Sequence, residues 1–222
     1  MDKKAEMVKL VKFLQEKFKL PIIGNGAVDL YKELDFLYGI AIEEVFYSNG
    51  KLKKRLDPFI INAIKRIKNP YIIEYPNSYD RKKLESLQSK YDIKLFAAKP
   101  ALNSSGVSIN NEFRAIFNNL KSKDCNVKEM IIDPDDSPKL AKDKTKVFLY
   151  ISVGEVEDYR PHFSKCKSLI IKENPNWKGN FRIKYWEPQW REILVDYIGS
   201  VIKKYPFVDG LFFDVIDSWI EI

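Results

Sequence analysis

The chain has 222 residues, 45% of them hydrophobic and 31% charged, with a net charge of +7; this is enough apolar material for one large core and excludes a disordered chain. No run approaches 18 apolar residues, so no membrane span is expected, and two cysteines (Cys125, Cys166) with a single histidine (His162) form neither a disulfide framework nor a metal cluster, so no cofactor is expected. The positive charge permits nucleic-acid binding, but the lysines are spread over helical faces instead of gathered in one arm interleaved with aromatics, which makes nucleic acid an unlikely partner.

Residues 3–19 predict an amphipathic helix, with Met7, Leu10, Val11, Leu14 and Phe18 at three- and four-residue spacing. The same segment lacks the apolar block and cleavage site of a signal peptide, so the sequence as written is expected to stay in the cytoplasm. PIIGNG (21–26) is a short apolar run ending in a turn, and residues 28–37 look helical. GIAIEEVFY (39–47) predicts a strand, and Asp57 followed by Pro58 marks the start of a helix running to Lys68. PYIIEYP (70–76) and DIKLFAAKP (92–100) predict strands on either side of a helix over about 80–90. The polar stretch ALNSSGVSINNE (101–112) reads as a linker. Beyond it, residues 113–123 look helical, EMIIDP (129–134) and KVFLYISVGE (146–155) predict strands, and a short segment at 136–143 joins them. FRIKYW (181–186) predicts a strand, 187–205 a strong amphipathic helix, and VDGLFFDVID (208–217) the last strand.

Eight strands alternating with helix-length segments, many of them continuous apolar runs, predict a parallel α/β architecture. A single-domain (β/α)8 TIM-type barrel is the expected fold, with an open doubly wound sheet as the alternative; no glycine-rich phosphate fingerprint follows any strand.

Barrel sites lie at the C-terminal strand ends. In chain order these ends carry Asn25, then Glu43 and Glu44, Glu74–Tyr75, Lys99, Asp133 with Asp135 and Asp136, Glu155 with Glu157, Tyr159 and Arg160, Tyr185–Trp186, and finally Asp214 and Asp217. Capping of the following helix accounts for Asp57, Asp135, Asp136 and Asp217. It accounts less well for Glu43, Glu74, Glu155 and Asp214, which lie in or against apolar runs where an unpaired charge is costly. Carboxylates held close in a partly dry cleft separate in pKa and supply an acid and a base or nucleophile, the pair that glycoside hydrolysis needs. Tyr75, Tyr159, Tyr185, Trp186 and Trp177 offer flat surfaces for sugar rings or serve as packing; Arg160 pairs with a site carboxylate or holds a loop.

SVGEVEDYR (152–160), NPNWKGNFRIKYWEPQW (174–190) and VDGLFFDVIDSW (208–219) resemble successive signature segments of glycoside hydrolase family 114, the endo-α-1,4-polygalactosaminidase-like enzymes. So do IIDPDD (131–136), GNG (24–26), GIAIEEVFY (39–47) and YIIEY (71–75). The order is that of a circular permutation: residues 1–100 resemble the family's C-terminal half and 113–222 its N-terminal half, joined through 101–112. The resemblance implies cleavage of an α-linked galactosamine polymer, with Asp214 as nucleophile and Glu43 as general acid/base. It also implies a cleft lined by Asp133, Glu155, Tyr185 and Glu74 and the secretion usual in that family; the stereochemical outcome follows the carboxylate separation, about 5–5.5 Å for retention and about 6.5–9.5 Å for inversion, with retention expected. A catalytically silent sugar-binding barrel and a nucleic-acid-binding protein are the other readings. The sequence specifies no oligomeric state.

Overall fold

In a computed structural model of the protein, which describes residues 1–98, 106–117, 126–135 and 144–220, eight parallel strands form a nearly closed barrel. They are β1 (Ile22–Asn25), β2 (Gly39–Glu43), β3 (Pro70–Glu74), β4 (Lys94–Ala97), β5 (Phe113–Ile116), β6 (Glu129–Ile132), β7 (Lys146–Ser152) and β8 (Gly210–Asp214). From β1 to β4 and from β5 to β8 each strand pairs with the next, and β8 pairs with β1, Leu211 opposite Ile22. Between β4 and β5 lies a short strand, Val107–Ser108, antiparallel to β4. The Ser108 hydroxyl accepts the Phe113 N–H at 3.2 Å, and the Phe96 and Phe113 rings meet edge to face.

Period-two alternation separates two cores. Ile23, Ala41, Tyr71, Ile73, Phe96, Phe113, Ile131, Phe148, Tyr150 and Phe212 fill the barrel interior. Residues of the other parity, such as Ile22, Ile72, Leu149 and Leu211, pack outward against the helices. These are α1 (Lys3–Phe18), α2 (Pro58–Ile64), α3 (Arg81–Tyr91) and α4 (Pro188–Lys204). α1 buries Met7, Leu10, Val11 and Leu14, the stripe its spacing predicts. Asp57 caps α2 by accepting from Phe59 N–H, with Pro58 in the first turn, and Asp80 caps α3. The barrel floor is closed by Glu129, which accepts from Tyr38, Tyr71 and Lys94. No helix among the described residues is long and apolar enough to cross a membrane.

Three sequence expectations are corrected. Residues 113–116, expected to be helical, form barrel strand β5; the rest of that expected helix, from 118, lies outside the described residues. FRIKYW is not a barrel strand: Asn180–Ile183 is the middle of a small antiparallel sheet with Glu155–Glu157 and Ile170–Glu173, inserted between β7 and α4. Its alternation of apolar and polar residues suits a strand wet on one side, whereas the barrel strands are dry on both. The expected helix at 28–37 is a 3-10 turn, Ala27–Leu30, followed by turns. Lys99, Cys125, Asp136 and the joining segment 136–143 lie outside the described residues, as does 101–105 of the expected linker.

Candidate active site

The parity that buries Ile23, Ala41, Ile73, Ile131 and Phe212 inside the barrel carries the next inward residue of each strand to the C-terminal rim. Those residues are Asn25, Glu43, Tyr75, Asp133 and Asp214, and together with Tyr150 they line one cleft of about 990 Å3.

Asn25 is the hinge of the arrangement. Its Nδ2 donates to Glu43 Oε1 and to Asp214 Oδ1, each at 2.8 Å. With nitrogen facing both carboxylates, the two accepting oxygens lie at most about 5.6 Å apart, and about 4.8 Å apart if they take the two diverging N–H bonds of the amide. The other Glu43 oxygen accepts from the Tyr75 hydroxyl at 2.7 Å. Asp214 also accepts from Val215 N–H at 2.8 Å and from the Tyr150 hydroxyl at 2.9 Å. Glu43 is open to the cleft, yet protein crowds its other sides. Burial first, and then the Asp214 charge, raise its carboxyl above the usual carboxylate range, while hydrogen bonds from Tyr75 and Asn25 oppose the rise.

The backbone turns sharply just past both acids. Glu44 and Val215 have φ of 52° and 59°. For β-branched Val215 this is a true outlier, with a strain of about 1–3 kcal/mol. Gly154 permits it: a Cβ there would collide with the Val215 carbonyl. Gly26, at φ 73°, likewise leaves room for the Asp217 carboxyl, which an added Cβ would meet at 2.7 Å.

A second group surrounds Arg160, itself buried. It makes a two-pronged pair with Asp133 at 2.8 and 2.7 Å, reaches Asp135 at 2.8 Å and Glu157 at 3.2 Å, and contacts the Tyr159 hydroxyl at 3.3 Å. Tyr197 donates to Asp135 at 2.8 Å. Asp135 is therefore an ion-pair partner, where capping was expected. A third group holds Glu155, which takes Arg182 and the Asn174 amide at 2.8 Å each. Burial nevertheless raises its carboxyl above the ordinary range, with Arg182 and Asn174 opposing. Tyr159 and Trp177, 63% and 62% exposed, stand on the same cleft wall and leave much of their rings open to solvent.

The rim thus gathers Asn25, Glu43, Asp133, Glu155, Tyr159, Asp214 and Asp217, with Arg160 bonded directly behind it. It does not gather Glu74, Tyr185 or Trp186. Glu74 has the outward parity of Ile72; it is fully buried and accepts from Phe46 and Tyr47 N–H at 2.7 and 3.0 Å, tying down the 47–52 hairpin. Tyr185 and Trp186 follow the side sheet and turn toward α1, where the Tyr185 hydroxyl donates to the Lys3 carbonyl at 2.9 Å and the Lys3 ammonium covers the Trp186 ring. Sequence reasoning missed Tyr150, Asn174 and Arg182. Tyr150 had a readable signal, a hydroxyl inside the apolar run of β7 that needs a buried partner; Asn174 and Arg182 had none, because the side sheet aims them.

The model of glycoside-hydrolase family GH114 matches residues 93–221, more than half of the chain. That span holds Asp133, Tyr150, Glu155 and Asp214, while Asn25, Glu43 and Tyr75 join them through the barrel geometry. The chain is similar to an uncharacterized protein of Methanocaldococcus jannaschii, 31% identical over 90 residues, covering 38% of this chain and 25% of that one. It is also similar to uncharacterized proteins of Deinococcus radiodurans and Thermotoga maritima, each 33% identical over 75 residues and covering 32% of this chain, with 24% and 23% of theirs. The chain therefore matches about a quarter of the length of these relatives. Among solved structures, the crystal structure of Aspergillus fumigatus Ega3 in complex with galactosamine is similar at a TM-score of 0.43 and 20% identity, covering 49% of this chain and 45% of that one.

Proposed function

Because the chain belongs to glycoside hydrolase family GH114, we propose that it hydrolyses an α-linked, galactosamine-containing polysaccharide, with Asp214 as nucleophile and Glu43 as general acid/base. The observation that carries this reading is the single Asn25 amide nitrogen shared by the two carboxylates. Because one oxygen of each acid binds the same nitrogen, those oxygens are at most about 5.6 Å apart, which supports the close spacing of about 5–5.5 Å used by retaining enzymes over the about 6.5–9.5 Å of inverting ones. In the first step Asp214 bonds to the anomeric carbon as the glycosidic C–O bond breaks, and the Glu43 proton passes to the leaving oxygen. In the second step water attacks the same carbon, the bond to Asp214 breaks, and Glu43 takes the water proton. The raised Glu43 carboxyl suits the acid role, and the Tyr75 and Asn25 hydrogen bonds support the carboxylate needed in the second step.

The cleft wall favours a cationic polymer. Acidic side chains dominate it, and Arg182 is the one basic side chain among the described residues that line it. This suits deacetylated galactosamine units even on a protein of net charge +7. Tyr159 and Trp177 serve as platforms for sugar rings away from the cleavage point. The test is release of reducing ends from partly deacetylated α-1,4-linked galactosamine polymer. Asp214→Asn and Glu43→Gln should each lower it by about a thousandfold or more while the melting transition survives. Retained cleavage in either variant removes that residue from its role, and saturable binding without cleavage by the native protein would make it a sugar-binding barrel instead.

The permuted strand order belongs to the same proposal. Its support is the parallel pairing of β8 with β1 and the packing of Lys4 of α1 over the Trp219 ring, so that α1 occupies the place of a helix following β8. A version opened within 101–112, with residue 222 joined to residue 1, should fold cooperatively and cleave the same polymer; loss of cooperative unfolding would count against it.

A further inference from the structure

Tyr150 stands between two acids with one proton to give. Its hydroxyl oxygen lies 2.9 Å from Asp214 Oδ2 and 3.1 Å from Glu157 Oε1. A phenol donates a single hydrogen bond. Were both acids ionised, one of these contacts would set two oxygen atoms against each other with no hydrogen between them. One of the acids must therefore bring a proton of its own.

The surroundings identify which. Asp214 Oδ1 already accepts from the Asn25 amide and the Val215 N–H, and its Oδ2 is the nearer of the two acids to the Tyr150 oxygen, 2.9 Å against 3.1 Å. Glu157 is buried, and its cation is already shared: Arg160 pairs with Asp133 through two prongs and with Asp135, leaving two longer contacts to Glu157, Nε to Oε2 at 3.2 Å and Nη2 to Oε1 at 3.4 Å. One guanidinium thus faces three acids. Glu155 and Tyr159, which also face Glu157, bring no positive charge, and Arg182 on the neighbouring strand pairs with Glu155.

We infer that Glu157 is a positioning residue: neutral in the resting protein, it donates its carboxyl proton to the Tyr150 oxygen, so that the Tyr150 O–H is held pointing at Asp214. Burial raises the Glu157 carboxyl in the same sense, with Arg160 offsetting only part of the rise. Burial, and then the Asp214 charge, keep Tyr150 a phenol. The role in turnover rests on Asp214 being the nucleophile; the place of the proton does not. When Glu157 ionises, its carboxylate competes for the Tyr150 hydrogen and Asp214 loses a donor.

Infrared difference spectra of the wild type against Glu157→Gln at neutral pH read the proton directly. A protonated-carboxyl stretch should be present in the wild type and absent from the variant, and Tyr150→Phe, which keeps the Arg160 pairing, should shift it. No such band, with the proteins folded, overturns the inference whatever the activity. The second measurement is the pH profile of hydrolysis. The wild type should lose rate on the basic limb with about two deprotonations, Glu43 and Glu157, and Glu157→Gln with about one. The Gln amide can donate to Tyr150 and accept from Arg160, so Glu157→Gln should exceed Glu157→Ala by about tenfold. Superimposable profiles for wild type and Glu157→Gln, or a Gln variant no better than the Ala variant, overturn the positioning role. A band lost in Glu157→Gln from a protein that cleaves nothing supports the proton placement and fails the hydrolase reading instead.

Discussion

Asn25→Ala is the most informative single change in the cleft. The side chain is buried, and its Nδ2 gives one hydrogen bond to each of the two central acids at 2.8 Å. Hydrogen bonds to charged acceptors are worth about 1.5–3 kcal/mol each. Water entering the vacated space restores part of that, so the net loss at the site is about 3 kcal/mol, which is about two powers of ten in rate. The loss should fall on kcat more than on KM, because the amide sets the spacing of the two reacting groups and touches few other atoms. Glu43 should also titrate higher, since Asn25 is one of the donors that favour its ionised form. Asn25→Asp is the sharper companion: it keeps the shape but replaces the shared donor with a third negative charge, and should be slower still. The assay is initial-rate reducing-end release across pH, with thermal melting to verify the fold. Wild-type kcat within about threefold in Asn25→Ala would refute the view that this amide holds the pair in place.

Tyr75→Phe should shift the basic limb of activity to higher pH. Its hydroxyl favours ionised Glu43, so removing it raises an already raised carboxyl and keeps the acid form to higher pH; an unmoved limb would exclude the contact as a determinant. Glu74, pushed up to about 7 by burial from 4.5, makes stability depend on pH. The raised folded-state value means that stability is complete below about 4.5 and falls as pH rises through about 7, by about 3 kcal/mol from this group. Glu74→Gln should flatten that window in denaturant titrations, at a cost of about 1–2 kcal/mol at low pH where its amide meets a backbone N–H; an unchanged pH slope would contradict it. Gly154→Ala should destabilise by about 2 kcal/mol or more and lower activity, because the new methyl meets the carbonyl of Val215, next to Asp214. Wild-type melting and turnover together would show that the Val215 turn is not under that constraint.

The eight-strand barrel was largely readable because most of its strands are dry on both faces and announce themselves as apolar runs. β5 was not. Phe113, Ile116 and Phe117 recur at three and four residues and imitate a helix, and a four-residue strand is too short for period two to outvote them. FRIKYW erred the other way, a half-wet strand taken for a buried one. Glu74 and Tyr75 show how little separates a site residue from a structural one. They are adjacent and both at a strand end, yet opposite parity sends Tyr75 to Glu43 and Glu74 into the outer layer.

The sequence by itself determined the alternating α/β pattern, the helix cap at Asp57, and the acids Glu43, Asp133, Glu155 and Asp214 at strand ends, because these follow from local periodicity and from the cost of charge beside apolar runs. Only the tertiary structure decided which acids meet and what each carries. The contacts of Asn25 with Glu43 and Asp214, of Arg160 with Asp133 and Asp135, and of Tyr150 with Asp214 join residues far apart in the chain, while the turn beyond β7 brings Glu157 back to both Tyr150 and Arg160. Their charge states depend on burial and on neighbours supplied by other strands, which no local pattern encodes.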